Sequence, residues 1–151
     1  MSVIYLLRHG EAESLEGGFD RRRQLTEQGR ADVLAQGTYI GEDSGHRAAI
    51  YHSPYVRTVQ SAELVNQAFK VALQPLPALV PSGNVLDVMA AVVGKEGNLV
   101  LVTHLPLVAE LAMHLTSRVI SFRPGTCVRI TRADAYAESG VLDWVRHPNR
   151  Y

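Results

Sequence analysis

Arg8-His9-Gly10 follows directly on the apolar run Val3-Ile-Tyr-Leu-Leu7. His104 follows the run Asn98-Leu-Val-Leu-Val-Thr103, and His52-Ser53-Pro54 ends the run that starts at Ala48, with Arg57 one helical turn further on. Arginines and histidines gathered around one point suit a dianionic phosphoryl group. Guanidinium groups give planar, charge-assisted bonds to its oxygens, and those oxygens take on charge during transfer. A neutral histidine nitrogen is a competent nucleophile at phosphorus, and nearby guanidinium charge disfavours its protonated form. Gly10 would let the backbone approach a ligand closely. Taken singly, each residue has a plainer explanation: Arg8-His9 as a solvated strand end, Arg57 as an exposed helix residue, His104 as a helix cap. Their common position just beyond apolar runs is what the plainer explanations leave unaccounted for.

The elements that must position these residues alternate. Val3–Leu7, Ala48–His52 and Asn98–Thr103 read as buried strands. A helix opens at Leu25-Thr26, with Thr26 as N-cap and Ala31, Leu34, Ala35 and Tyr39 on its apolar face. A second helix starts at Ser53-Pro54, with Pro54 at its first position, and runs to about Phe69; its free N–H groups would face the same rim. Val71–Leu73 and Leu76–Val80 are short and flanked by prolines, an edge strand and a loop. Ser82 caps a third helix, and Pro106 begins a fourth that runs to about Leu115. Cys127–Thr131 and Val141–Val145 alternate around a turn at Glu138-Ser-Gly140 and read as a hairpin that carries Trp144 into the core. Gly17-Gly18 and Glu42–Gly45 read as surface loops. The expected fold is a three-layer α/β/α sandwich with a mainly parallel central sheet and a C-terminal antiparallel hairpin, all within one domain, 1–151. In such sheets ligands sit outside the carboxyl ends of the strands. Arg8, His9, Arg57 and His104 are therefore expected to converge on one rim.

Composition narrows the classes. The chain has 151 residues, 46% hydrophobic and 20% charged, enough apolar material for a core. Zero formal net charge argues against a nucleic-acid binder. Lys70 and Lys95 are the only lysines, so arginine dominates the basic side chains. Cys127 stands alone and cannot form an internal disulfide, which fits a reducing compartment. No run has membrane-spanning length, and the N-terminal run lacks the form of a signal peptide. A cytoplasmic protein without membrane association is expected. No HExxH, cysteine pair or EF-hand spacing suggests a metal. His46, His52, His114 and His147 read as surface or helix residues.

Arg8-His9-Gly10 after an N-terminal strand resembles the signature of the histidine phosphatase superfamily, with its phosphoglycerate-mutase-like fold. Leu25-Thr26-Glu27-Gln28-Gly29 resembles the family's LTxxG helix start, Ser53-Pro54-Tyr55-Val56-Arg57-Thr58 its SPxxRT segment, and Val102-Thr103-His104 the strand bearing its second histidine. The short chain, Thr103-His104-Leu105-Pro106-Leu107-Val108 and Ala78–Val85 are similar to the SixA-type phosphohistidine phosphatase branch. Ala78 stands where that branch usually has an acidic residue, and Asn84 where it has an aspartate.

The resemblance implies a cofactor-independent phosphohydrolase with no metal. His9 would be the phosphorylated nucleophile, and Arg8, Arg57 and His104 would hold the phosphoryl oxygens. Arg23 matches an arginine of the branch's RPLT segment and would be a further phosphate contact. The implied partner is a phosphohistidine-bearing protein. A small phosphorylated metabolite or nucleotide is the alternative substrate, and a phosphate-binding docking module the alternative from another class. Relatives that cleave alkyl phosphates place a carboxyl group to protonate the departing oxygen; after His104 this chain has Leu105. Glu11, Glu13 and Asp20 read as solvated loop acids. Glu11 is the first candidate if a proton donor is needed.

Overall fold

The computed structural model describes residues 1–14 and 18–150, so Gly17 of the expected Gly17-Gly18 loop lies outside the described residues, while Gly18 is an exposed bend. Six strands form one sheet: β1 (Ser2–Arg8), β2 (Ala49–His52), β3 (Gln74–Pro75), β4 (Leu99–Thr103), β5 (Cys127–Arg132) and β6 (Gly140–Arg146). Among the described residues four α-helices connect them: α1 (Glu27–Asp43), α2 (Val56–Asn66), α3 (Val85–Val92) and α4 (Leu107–Thr116). The strand order is β3-β2-β4-β1-β5-β6. β3, β2, β4 and β1 run parallel, and β5 and β6 add the expected antiparallel hairpin.

The central strands β1 and β4 are buried on both sides, which is why they read as unbroken apolar runs. Their side chains divide by parity. Ile4, Leu6, Leu99 and Leu101 pack with Val88, Met89, Leu107 and Leu111 of α3 and α4. Tyr5, Leu7, Val100 and Val102 pack with Val33, Ile40, Ala62 and Val65 of α1 and α2. The chain therefore leaves β1 into a helix on one face of the sheet and leaves β4 into a helix on the other. A crevice opens between the carboxyl ends of two such strands. Their register, Arg8 beside Thr103, sets His9 and His104 next to one another there.

Several element details differ from the sequence reading. The buried face of α1 is not Ala31, Leu34, Ala35 and Tyr39, all of which are exposed; it is Asp32, Val33, Gln36, Gly37 and Ile40. Small and polar residues serve there because of what they meet. A Cβ on Gly37 would lie 2.7 Å from Val65 Cα, so the glycine lets α1 press against α2. The Gln36 amide donates to the carbonyls of Gly125 and Arg146. Helix α2 starts at Val56, after Ser53-Pro54 rather than on it, and ends at Asn66. Asn84, not Ser82, caps α3, accepting from the Asp87 amide. Thr26 caps α1 as expected, accepting from the Gly29 amide. Trp144 is half-buried, against Tyr5 and Tyr39.

Candidate active site

His9 leaves the end of β1, and its amide donates to the Thr103 carbonyl, extending the β1–β4 ladder by one bond. The turn at Gly125, with φ at +84°, sends its amide to the carbonyls of Arg8 and His9 and fixes this strand end from the other side. The His9 ring is buried, and its Nδ1 lies 2.7 Å from the Gly10 carbonyl. A carbonyl only accepts, so Nδ1 carries the proton and Nε2 is bare. Arg57 Nε donates to that bare Nε2 at 3.2 Å. Burial, with the charges of Arg57, Arg8 and Arg23, drives the imidazolium pKa down to about 3 despite the Gly10 bond, so the ring is neutral.

Gly10 does not primarily clear space for a ligand, as its position suggested. A Cβ there would lie 2.8 Å from the Gly29 carbonyl oxygen and from Val33, both on α1. A Cβ on Gly29 would in turn lie 2.2 Å from the Glu11 carbonyl oxygen. The two glycines let the loop after β1 lie flat on α1. The Gly10 amide donates to Ser61 Oγ, whose hydroxyl donates to the Arg57 carbonyl, joining the same loop to α2.

Arg57, on the first turn of α2, is buried. Its other two nitrogens meet Asp20, Nη1 donating to the carbonyl at 2.7 Å and Nη2 to the carboxylate at 3.3 Å. Asp20 also accepts from Arg23, at 3.0 Å. Burial alone would raise the Asp20 carboxyl; the bonds and charges of Arg23 and Arg57 hold it below its ordinary range instead. Arg23 thus stands one carboxylate away from Arg57, with its Nε donating to the Glu13 carbonyl. Arg8 donates to the Phe122 carbonyl, and its charge is felt by both His9 and His104.

The His104 ring lies 5.1 Å from that of His9, edge to face, and is 1% exposed. Its Nε2 meets Ser53 Oγ at 2.7 Å, while Nδ1 is buried and has no partner among the described residues. Burial, then the neighbouring His9 and Arg57, lower its pKa to about 2. The Tyr55 ring stands edge-on to His104 and beneath the guanidinium groups of Arg57 and Arg21.

Arg8, His9, Arg57 and His104 therefore converge. Glu11 does not join them. Its carboxylate accepts from Thr26 Oγ1 and Arg150, bonds that keep it below its ordinary pKa and ionised, without a proton to donate. The carboxylate on Arg57 is that of Asp20. His52, read as a surface or helix residue, is buried at the end of β2, with Nδ1 on the Ser53 carbonyl. Ser53 and Tyr55 meet His104, and Thr58 meets Ser53, contacts that only the folded chain brings about.

Comparison with known proteins bears on this geometry. A curated relative from Haemophilus influenzae, described as a phosphohistidine phosphatase SixA homolog, is 32% identical over 142 residues, covering 84% of this chain and 86% of the relative. The solved structure of the protein histidine phosphatase SixA complexed with tungstate superposes with a TM-score of 0.85, at 22% identity and 98% coverage of both chains. A mycobacterial glucosyl-3-phosphoglycerate phosphatase shares the fold at a TM-score of 0.70 and 15% identity, over 93% of this chain and 96% of that one. The family model of the histidine phosphatase superfamily (branch 1) matches residues 4–80, the span that holds Arg8, His9, Arg23 and Arg57. On this sequence match and the curated relative, the chain belongs to the histidine phosphatase superfamily.

Proposed function

We propose that this chain removes the phosphoryl group from phosphohistidine in a protein partner, through a phosphorylated His9. The observation that carries the reading is the state of His9: the Gly10 carbonyl holds the proton on Nδ1, leaving the Nε2 lone pair bare beside the Arg57 guanidinium. In the first half-reaction Nε2 attacks phosphorus, the P–N bond to the substrate imidazole breaks, and its electron pair stays with the departing imidazole. In the second, water displaces the phosphoryl group from His9. Arg8, Arg57 and His104 would surround the transferred oxygens, and Arg23 would reach them from the Asp20 side. A bound phosphoryl oxygen competes with Asp20 for Arg57.

The curated relative's description and the missing proton donor both favour a P–N over a P–O substrate. An alkoxide leaves poorly without a proton, and general acid catalysis is worth about 10²–10⁴-fold. An imidazole protonates near neutral pH and needs less help. Leu105 follows His104, Glu11 is ionised on Thr26 and Arg150, and the Asp20 carboxyl beside Arg57 is held below its ordinary range by Arg23 and Arg57, so neither acid carries a proton to supply. Among the described residues no helix is long and apolar enough to cross a membrane. The single cysteine is buried and needs no oxidising environment, which fits action in the cytoplasm.

The test is a competition of substrates on purified protein: a phosphohistidine protein, an aryl phosphate, and serine and sugar phosphates. kcat/KM is expected to fall in that order. Equal turnover of sugar phosphate and phosphohistidine would overturn the substrate assignment. Absence of any acid-labile, base-stable phosphoenzyme would overturn the mechanism.

A further inference from the structure

The helical turn Asp20–Arg22 is held at the active site by the bonds from Arg57 to Asp20. It opens a run of three arginines, Arg21, Arg22 and Arg23, that are spent differently. Arg23 is tied to the Asp20 carboxylate and the Glu13 carbonyl. Arg21 and Arg22 are exposed, and among the described residues neither is paired with a carboxylate. Each is held on an aromatic ring instead. Arg22 Cζ lies 5.2 Å from the centroid of Phe19, a ring that is itself 72% exposed. Arg21 Cζ lies 5.3 Å from the centroid of Tyr55. The same Tyr55 ring carries Arg57 at 5.0 Å and stands edge-on to His104, so Arg21 is one ring away from the phosphoryl site. A ring attracts the cation and steadies a long side chain, while leaving its N–H donors open to a partner. Leu105, next to His104 in the chain and also exposed, adds an apolar residue to this rim. Aromatic rings and arginines, with few lysines, are the make-up of the contact centres between proteins. The chain as a whole has zero net charge, so the positive charge here is local.

We propose that Phe19, Arg21 and Arg22 form a docking rim that selects phosphohistidine flanked by carboxylates, so that the partner is a protein with an acidic surface around its phosphorylated histidine. This deepens the phosphatase reading and rests on it. As the phosphoryl group enters beside His9 and Arg57, Arg21 and Arg22 each take a glutamate or aspartate of the partner, in the planar two-bond geometry that a guanidinium offers a carboxylate. Phe19 packs against the apolar stems of the same side chains. A partner with lysines at those places meets like charge and is rejected. The three arginines thus divide the work: the one tied to Asp20 belongs to the site, and the two without a carboxylate await one from outside.

The experiment has a binding arm and a kinetic arm. For binding, two fluorescent peptides of equal length carry a non-hydrolysable phosphoryl-triazole in place of phosphohistidine, one flanked by glutamates and one by lysines. Anisotropy with the whole chain is expected to show the glutamate peptide bound about tenfold more tightly at low salt, the scale of two exposed ion pairs. The gap should close at 1 M salt, where the Debye length is about 3 Å. Arg21→Gln combined with Arg22→Gln should abolish the preference. For kinetics, the same two sequences carry phosphohistidine itself, and phosphoramidate, a P–N donor with no flanks, is each protein's own reference. The double variant should lose about tenfold in kcat/KM on the glutamate peptide relative to that reference. A wild type that binds both peptides equally overturns the proposal, and so does a double variant that keeps the preference. An equal loss on phosphoramidate would place the two arginines on the phosphoryl group and overturn it too. Tighter binding of oligothymidylate than of the glutamate peptide would assign the rim to nucleic acid instead. If no donor is turned over, the phosphatase reading fails, and anisotropy still decides the flank preference.

Discussion

His9 and His104 end adjacent parallel strands, lie 5.1 Å apart ring to ring, and are both buried and neutral. They differ in which nitrogen is tied. The loop after β1 offers His9 a carbonyl, so Nδ1 holds the proton and Nε2 faces Arg57. The segment after β2 offers His104 the Ser53 hydroxyl at Nε2, and its Nδ1 has no partner among the described residues. One residue type thus stands in two hydrogen-bonding environments, set by the neighbouring backbone and hydroxyls. His52 makes the point from a third strand end. Its Nδ1 meets the carbonyl of the next residue, as in His9, yet no guanidinium bonds its other nitrogen among the described contacts.

The most severe way to break the pair is to remove its nucleophile. His9→Ala is expected to reduce turnover of every donor to background and to abolish the acid-labile, base-stable label; full turnover would mean that another group attacks. The next effect removes the charge beside His9. Arg57→Ala loses the guanidinium facing Nε2, and charge-assisted bonds are worth about 1.5–3 kcal/mol each. Its kcat/KM should fall roughly 10–100-fold per bond lost, with weaker inhibition by inorganic phosphate. A fall confined to kcat, with phosphate inhibition intact, would place Arg57 outside the oxygen clamp.

Acid tests what the two rings share. Unfolded imidazoles titrate near 6.5, whereas His9 and His104 do so at about 3 and about 2 in the folded protein. Between about pH 3 and 6.5 the unfolded chain therefore binds more protons, and the free energy of unfolding rises with pH across that window. These two groups add no slope above it. The urea midpoint should drop on going from pH 7 to 4.5, and the drop should shrink in His9→Asn. An unchanged drop in that variant would assign the acid lability to other groups. The smallest effect sharpens the contrast on the His9 side alone. Asp20→Asn removes a partly exposed anion that competes for Arg57. Pairs of this kind are worth about 0.2–1 kcal/mol, so phosphate should inhibit up to about fivefold more tightly. Weaker inhibition would instead show Asp20 holding Arg57 in its binding geometry.

Much of the rim was legible before folding because it depends on local order. Apolar runs that end in Arg8-His9 and His104 announce buried strands with polar ends, and chain order fixes which follow a strand and which open a helix. The face of α1 was not legible. Ala31, Leu34, Ala35 and Tyr39 are the more apolar choice, but Gly37 against Val65 and Gln36 between two carbonyls make the polar face the closer-packing one. Close approach of two helices depends on the partner's shape, which periodicity does not contain.

Sequence by itself determined the alternation of elements, the residues at the strand ends and the arginines available to an anion, because each depends on neighbours within a few positions. Tertiary structure alone decided how those groups differ. Glu11 turned to Thr26 and Arg150, Asp20 settled on Arg57, and Gly10 packed on α1. Ser53, 51 residues from His104 in the chain, came to stand against its Nε2. What a buried imidazole can do is set by the groups that stand beside it, and only the folded chain brings the Ser53 hydroxyl within 2.7 Å of His104.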